Sequence, residues 1–222
     1  IAGKPLAMPW VKENADAVLV QWYAGEQQGR TLADILLGKV NPSGKLNVSF
    51  PRSTGNTPCF YNHFVTDREE PFDQPGTPEE PKGHYIFDKP EPLWNFGHGK
   101  SYTTFDYVDC ALSDTLLAAS DTLKVSVMIK NTGRCDGKEV VQLYVRDKVS
   151  TVATPIQQLK AFQKVLVKSG ESQCVELSLP IAELALYNAK MEEVVEPGDF
   201  EIQIGAASDD IRFKKTITIN RK

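Results

Sequence analysis

With 222 residues, 41% of them hydrophobic, the chain is long enough to bury the core of one large domain or of two modest ones. Its 25 basic and 29 acidic residues leave a net charge of −4, which argues against the broad cationic surface that a nucleic-acid-binding protein offers to phosphates. No stretch approaches the roughly 20 apolar residues that a membrane-spanning helix needs, and the first ten residues lack the pattern of a signal peptide.

The N-terminal segment, residues 1–52, alternates strand and helix signals. The apolar run Ala17–Tyr23 predicts a strand covered on both faces. Glu26–Leu37 predicts a helix that is capped by Gly38, and Leu46–Phe50 alternates as a second strand does. This order is typical of one edge of an α/β sheet. Two strands and a helix are too few to stand alone, so we expect the rest of that sheet to come from upstream sequence in a longer chain.

The connecting segment, residues 53–104, is rich in proline and glycine and contains the acidic stretch Asp67–Glu80. Connections of this length are uncommon and are either functional or linker-like. Its many aromatic side chains need a surface to pack on, and we favour packing along the seam between the two flanking units over a platform for stacking a sugar. These aromatic residues are Phe60, Tyr61, Phe64, Phe72, Tyr85, Phe87, Trp94 and Phe96.

The C-terminal unit, residues 105–222, has the alternating pattern of an all-β sandwich. Turn sequences such as Asp136–Gly137 and Pro197–Gly198 separate its apolar stretches, and Pro180–Tyr187 predicts a single helical turn. Roughly seven short strands of this kind are typical of a two-sheet sandwich of the immunoglobulin or fibronectin type. The predicted core positions are Leu123, Val125, Val127 and Ile129; Val141, Leu143 and Val145; Val175, Leu177 and Leu179; Phe200, Ile202 and Ile204.

Cysteine and histidine spacing predicts neither a metal site nor a cofactor. The cysteines form no C-x-x-C pair, so zinc and thioredoxin-type sites lack local support, while a structural disulfide and four buried thiols both stay open. The histidines show no helical i, i+4 spacing. The residues are Cys59, Cys110, Cys135 and Cys174, and His63, His84 and His98.

Several multi-residue motifs, in matching order and spacing, resemble family 3 glycoside hydrolases along essentially the whole chain. The first four motifs resemble the end of the family's α/β sandwich domain: Trp22–Gly29, Ala33–Gly38, Asn41–Leu46 and Ser49–Ser53. The others resemble the approach to the family's third domain and two hairpins of that fibronectin type III-like domain: Pro92–Phe105, Lys138–Asp147 and Glu196–Phe200. The chain departs from the family pattern at Ala24, Gln28 and Lys100, where Pro, Gly and Leu are usual. Because Ala24 and Gln28 follow the end of the first predicted strand, the resemblance does not predict the shape of the loop after Tyr23.

The resemblance implies a fold that is α+β by segment: an N-terminal edge piece of an α/β sheet followed by an all-β fibronectin type III-like (immunoglobulin-like) sandwich. It also implies a retaining β-glycosidase that hydrolyses terminal non-reducing β-D-glucosyl residues, with two carboxyl groups roughly 5 Å apart. In the family the nucleophile lies in a Ser-Asp-Trp-like context in an N-terminal barrel, whereas Ser113–Asp114 here is followed by Thr115. The acid/base Glu also lies upstream of the matching region, so we predict no catalytic residue in this chain.

The implied partners are therefore the N-terminal barrel and the remaining α/β domain of the same protein, together with a β-linked oligosaccharide or glucoside that the whole protein binds. Neither a nucleic acid nor a membrane span is expected. Two alternatives stay open: a β-xylosidase of the same family, and an independent sandwich module that binds carbohydrate or protein. The family resemblance implies a periplasmic or secreted location.

Five residues are candidates for lying near the substrate. Trp22 and Tyr23 end the first predicted strand and Glu26 follows it, and ligand crevices of α/β sheets lie beyond the carboxyl ends of strands. Asn62 and His63 could reach the same cleft through the connecting segment. For Glu26 we favour the structural alternative, in which the carboxylate stabilises the dipole of the following helix, and for the two aromatic residues we favour packing in a core.

Overall fold

The computed structural model describes residues 1–64, 77–79 and 91–220. Three aromatic residues of the connecting segment, together with His84 and most of the acidic stretch, lie outside the described residues: Phe72, Tyr85 and Phe87. The N-terminal segment contains two helices, α1 over Pro9–Asn14 and α2 over Gln28–Leu36. Among the described residues, no helix is long and apolar enough to cross a membrane.

The described residues contain ten strands, which all lie in the C-terminal unit. They are β1 Phe105–Leu112, β2 Leu116–Leu117, β3 Thr122–Asn131, β4 Gly137–Asp147, β5 Gln158–Val167, β6 Ser172–Pro180, β7 Leu186–Tyr187, β8 Glu193–Val194, β9 Gly198–Ala207 and β10 Asp210–Ile219. One sheet has the order β1-β3-β6, a second has the order β2-β10-β9-β4-β5, and β7 pairs with β8. All neighbours are antiparallel except β2 and β10, which run parallel.

The two larger sheets enclose one apolar core, which confirms the fibronectin type III-like sandwich. Every predicted core position of β3, β4, β6 and β9 is buried there. Alternation puts one face of each strand into the core because successive side chains point to opposite sides of a sheet. The helical turn expected within Pro180–Tyr187 is confirmed as a 3-10 helix over Ile181–Leu184, and it also contributes to the core.

The β4 strand is buried on both of its faces. Val141, Leu143 and Val145 point into the core, while Gln142 and Tyr144 lie on the opposite face and are buried as well. This double burial explains why its sequence is nearly continuous in apolar residues instead of alternating. The cover on the outer face comes from the connecting segment, so β4 lies between the core and the rest of the molecule.

In the N-terminal segment the helix prediction is confirmed and the first strand prediction is wrong. Gly38 follows α2 with a positive φ of 70°, as a C-terminal capping glycine does. Ala17–Tyr23 forms no strand, since a strand needs a neighbour to satisfy its backbone groups and the described part of the chain places none beside it. The second predicted strand, Leu46–Phe50, is reduced to a single bridge between Phe50 and Trp94.

The residues that pair with Leu46–Phe50 come from the connecting segment. The Leu46 amide donates to His98 O at 2.8 Å, and the Phe50 amide donates to Trp94 O at 2.8 Å. In return the amide of Gly97 donates to Leu46 O at 2.7 Å. These hydrogen bonds fasten the N-terminal segment to the stretch of chain that covers β4.

All four cysteines are free, so the disulfide alternative is not realised. Cys110 is buried in the sandwich, whereas Cys59 is half-buried and Cys135 and Cys174 are exposed. The alternative of four buried thiols, which the sequence also left open, holds only for Cys110.

Candidate functional site

Trp22 and Tyr23, predicted to lie near the substrate, differ sharply in their surroundings. The ring of Trp22 is 5.8 Å from that of Phe50, which in turn meets Trp94 edge-on at 5.8 Å. Tyr23 is 82% exposed. Trp22 is thus a member of a small aromatic cluster that joins the N-terminal segment to the connecting segment, whereas Tyr23 stands in solvent.

Glu26 is exposed and lies just before α2, whose N-cap is Gln27. The first turn of the helix contains no acidic residue. The favourable effect of a carboxylate on the helix dipole falls off quickly outside the first turn, so the dipole explanation that we favoured for Glu26 is weaker than its sequence position suggested.

His63, which follows Asn62 in the chain, lies against the sandwich. The His63 carbonyl accepts a hydrogen bond of 2.9 Å from the Ile156 amide, and the neighbouring Phe64 forms a bridge with Pro155. The ring of Trp22 contacts the Phe50–Trp94 cluster instead. The structure therefore gives the two groups of candidates different surroundings, and their common role at a substrate stays a prediction.

A buried ion pair joins the N-terminal segment to the sandwich. Lys45 Nζ lies 3.0 Å from Glu139 Oε1, and the two side chains are only 14% and 7% exposed. Lys45 Nζ also donates to Gly99 O at 3.0 Å. Burial, and next to it the negative charge of Glu139, raises the pKa of Tyr107, so this phenol stays protonated beside the pair.

Asn41 connects three parts of the chain through one side chain. Its Oδ1 accepts hydrogen bonds of 2.8 Å from the Ser101 hydroxyl and of 2.8 Å from the Tyr102 amide. Its Nδ2 donates to Asp136 O at 2.9 Å. A single side-chain amide thereby joins the N-terminal segment, the end of the connecting segment and the turn before β4.

Aromatic stacking holds the connecting segment on the outer face of β4. The rings of Tyr61 and Phe96 are stacked at 4.2 Å, and Tyr61 meets Tyr144 of β4 edge-on at 5.9 Å. This supports seam packing for these aromatics. Phe60 and Phe64 of the same segment are largely exposed.

Two basic groups along this seam, His98 and Lys12, have lowered pKa values. Burial lowers the pKa of His98, so its imidazole stays neutral at neutral pH. Burial and the nearby Arg52 lower the pKa of Lys12, whose Nζ donates to Leu93 O at 2.5 Å and lies 5.7 Å from the centre of the Trp94 ring. Within the described ranges, no group of three or more His, Cys, Asp and Glu side chains could hold a metal ion.

Sequence reasoning missed the polar residues that build the seam. Glu139 and Gln142 are polar residues within the apolar Lys138–Asp147 stretch, and this interruption was the available signal. Gln142 Nε2 donates to Ala206 O at 2.5 Å and its Oε1 accepts from the Tyr144 hydroxyl at 2.5 Å. Lys45, the partner of Glu139, and Ala206, a partner of Gln142, are distant in sequence, so the pattern alone could not identify them.

Two protein families match this chain. The glycosyl hydrolase family 3 C-terminal domain matches residues 1–102, and the fibronectin type III-like domain matches residues 139–208. A beta-xylosidase from Formosa agariphila is 40% identical over 100% of the chain, and a periplasmic beta-glucosidase from Salmonella typhimurium is 39% identical over 95%. The chain spans only 29% and 27% of the length of these two relatives.

Solved structures give the same result. The crystal structure of a beta-glucosidase from Listeria innocua in complex with glucose superimposes with a TM-score of 0.88 at 36% identity. The match covers 98% of this chain and 30% of the Listeria chain. A β-glucosidase from Erythrobacter marinus superimposes with a TM-score of 0.87 at 38% identity, over 99% of this chain and 27% of that one.

Proposed function

Because the chain belongs to glycosyl hydrolase family 3 and corresponds to the C-terminal part of its members, we propose that it is part of a retaining β-glycosidase that hydrolyses terminal non-reducing β-D-glucosyl residues. The observation that carries this proposal is the similarity of nearly the whole chain, helices and sandwich together, to β-glucosidases of known structure. A sandwich alone would imply no chemistry, because the same architecture serves many unrelated functions.

In this proposal the chain is the scaffold, and the two catalytic carboxyl groups come from sequence outside its 222 residues. The nearest sequence likeness to the nucleophile motif, Ser113–Asp114, supports this division. Asp114 Oδ1 accepts hydrogen bonds from the amides of Thr115 at 2.7 Å and Leu116 at 3.0 Å. These bonds lower the pKa of Asp114 and make it a turn residue on the surface.

The proposed partner is the remainder of the same longer protein, a barrel and the rest of the α/β domain. The N-terminal segment exposes several large apolar side chains, among them Trp10, Leu36 and Leu37, and neither α1 nor α2 contains a buried residue. Exposed apolar surface of this kind marks an interface. We propose that this surface completes the α/β domain, with residues 1–52, 53–104 and 105–222 as the three parts of the chain.

The test compares the longer protein with this chain alone on an aryl β-glucoside. We expect the longer protein to release the aryl group and the 222-residue chain to release none above the buffer rate. Hydrolysis by the chain alone would contradict the scaffold role. A longer protein that is folded and inactive on every aryl β-glycoside would contradict the proposed activity.

A β-xylosidase is the second candidate function, favoured by the 40% identity to the beta-xylosidase of Formosa agariphila. The ratio of kcat/KM values of the longer protein for matched aryl β-glucoside and aryl β-xyloside separates the two. A ratio above one supports the glucosidase, and a ratio below one supports the xylosidase.

The roles of Trp22, Tyr23, Glu26, Asn62 and His63 near the substrate also remain proposals, with the separate surroundings of the two groups as the main argument against a common role. A periplasmic or secreted location is proposed as well. The similarity to a protein named periplasmic beta-glucosidase supports it. Cell fractionation with an antibody against the sandwich would test the location.

A further inference from the structure

A groove of about 320 Å³ lies at the end of the sandwich where β4 leads into β5. Its walls are the end of β4, the start of β5, the loop over residues 152–155, the stretch over residues 184–187 and one side chain of the connecting segment, Phe64. Pockets that hold small ligands begin at roughly this size and combine aromatic walls with a few polar groups.

Two of the lining residues are exposed aromatics from different parts of the chain. Phe64 is 55% exposed and Tyr187 is 59% exposed, and both line the groove. Large aromatic side chains bury most of their area when they serve only as packing. A pyranose ring has an apolar C–H face that can lie on such a ring, while its hydroxyl groups remain free for hydrogen bonds.

The polar lining residues have hydrogen-bonding capacity that the protein leaves unused. Asp147 Oδ1 accepts from the Val149 amide at 3.1 Å, and in the part of the chain that the structure describes Oδ2 takes no hydrogen bond. Lys160 Nζ donates to Glu183 O at 2.8 Å, which leaves two of its three donors.

The charges in the groove favour a neutral ligand. One carboxylate and one ammonium group offset each other, so the groove offers no net attraction to an anion or a cation. Burial raises the pKa of Asp147 and lowers that of Lys160, so both groups already experience reduced hydration. Donors and acceptors beside two exposed rings match the hydroxyl groups and the apolar face of a sugar.

The groove is held in shape without a ligand. The Glu196 carboxylate accepts hydrogen bonds from the Thr151 amide at 2.9 Å, from the Thr151 hydroxyl and from the Ser150 hydroxyl at 3.4 Å. The backbone bridge between Phe64 and Pro155 holds Phe64 beside the same loop. Preorganisation of this kind reduces the entropy that binding would otherwise cost.

We propose that this groove binds the end of a β-linked oligosaccharide, with Phe64 and Tyr187 stacking on sugar rings and with Asp147 and Lys160 holding hydroxyl groups. The class of ligand rests on the proposed function, since a β-glycosidase acts on such oligosaccharides. The binding itself requires no catalytic residue and is therefore expected of the 222-residue chain alone.

The test is calorimetric titration of the chain with cellotetraose. We expect saturable binding, weakened by about tenfold in Tyr187→Ala and in Phe64→Ala because each variant removes one aromatic face. Asp147→Asn, which keeps the side-chain shape, should also weaken binding. The matched control is Phe162→Ala, because Phe162 is a 65% exposed aromatic on β5 that does not line the groove.

Tyr187→Phe keeps the ring and should bind as the unaltered chain does, which separates stacking from a folding defect. The absence of saturable heat in the unaltered chain, or equal weakening by Phe162→Ala, would overturn the proposal. Hydrolysis by the longer protein together with no binding by this chain would reject the groove and leave the proposed function intact. Binding by this chain together with an inactive longer protein would support the groove as a binding site and reject the proposed function.

Discussion

At the scale of single residues, glycine allows the connecting segment to lie directly on the sandwich. Gly97 has a φ of 81°, and a Cβ atom at this position would collide with Gln142 Oε1 and the Tyr144 hydroxyl on the outer face of β4. A Cβ atom at Gly99 would likewise collide with the backbone carbonyl oxygen of Gly44. Both glycines belong to the Pro92–Phe105 motif, which resembles the approach to the family's third domain. In this structure the close packing around them explains why the motif has glycine at these two positions.

The substitution Gly97→Ala should lower the free energy of unfolding by about 3 kcal/mol or more, since it adds a collision to the cost of a left-handed backbone. Gly170→Ala is the matched control. Gly170 has a φ of 78°, but a Cβ atom there would meet nothing within 4 Å. Gly170→Ala should therefore lower the free energy of unfolding only by the backbone contribution of about 1–2 kcal/mol. Urea unfolding with unchanged m-values would measure both, and equal losses would contradict the collision.

At the scale of elements, the Lys45–Glu139 pair joins the N-terminal segment to β4. Lys45→Met leaves a buried carboxylate without its cation and should cost about 3–5 kcal/mol of unfolding free energy. The double variant Lys45→Met/Glu139→Leu should recover most of this loss, because no buried charge remains.

The control for this pair is Lys39→Met, since Lys39 is 67% exposed and lies 3.7 Å from Asp34. An exposed pair should contribute less than about 1 kcal/mol. A double variant of Lys45 and Glu139 that is as unstable as the single variant would show that the pair acts through packing instead of charge. Urea unfolding of the four proteins is the measurement.

Elements with local hydrogen bonds could be predicted from the sequence, and elements with distant partners could not. Helix α2 and its capping Gly38 were predicted because a helix satisfies its own backbone groups. Ala17–Tyr23 has the composition of a strand, but no strand pairs with it among the described residues. Leu46–Phe50 found its partner in residues 93–98, which no periodicity could reveal.

The sandwich strands could be predicted because the alternation in each strand reports its own burial. The groove could not, because Phe64, Asp147 and Tyr187 are far apart in sequence and only the topology brings them together. The candidate residues Asn62 and His63 were chosen for reaching a cleft, and they lie beside the loop that shapes this groove.

At the scale of the whole molecule, burial is uneven. The sandwich encloses its own core between two sheets. The helices α1 and α2 contain no buried residue. Helix α1 contacts the connecting segment through Lys12, whose Nζ donates to Leu93 O, and α2 contacts it through Ile35 O, which accepts a hydrogen bond of 2.9 Å from the Tyr102 hydroxyl. Local opening requires little free energy where few apolar contacts are lost, so the two regions should differ in stability when the chain is isolated.

Hydrogen exchange followed by mass spectrometry would measure this difference. In the isolated chain we expect peptides from β3, β4 and β9 to stay protected long after peptides covering residues 9–37 have exchanged. In the longer protein the same N-terminal peptides should become protected, since the surface formed by Trp10, Leu36 and Leu37 would then be buried against the rest of the α/β domain. The sandwich peptides serve as the internal control, because their core is complete in both proteins. Equal protection of residues 9–37 in the two proteins would show that the exposed apolar surface has no partner there.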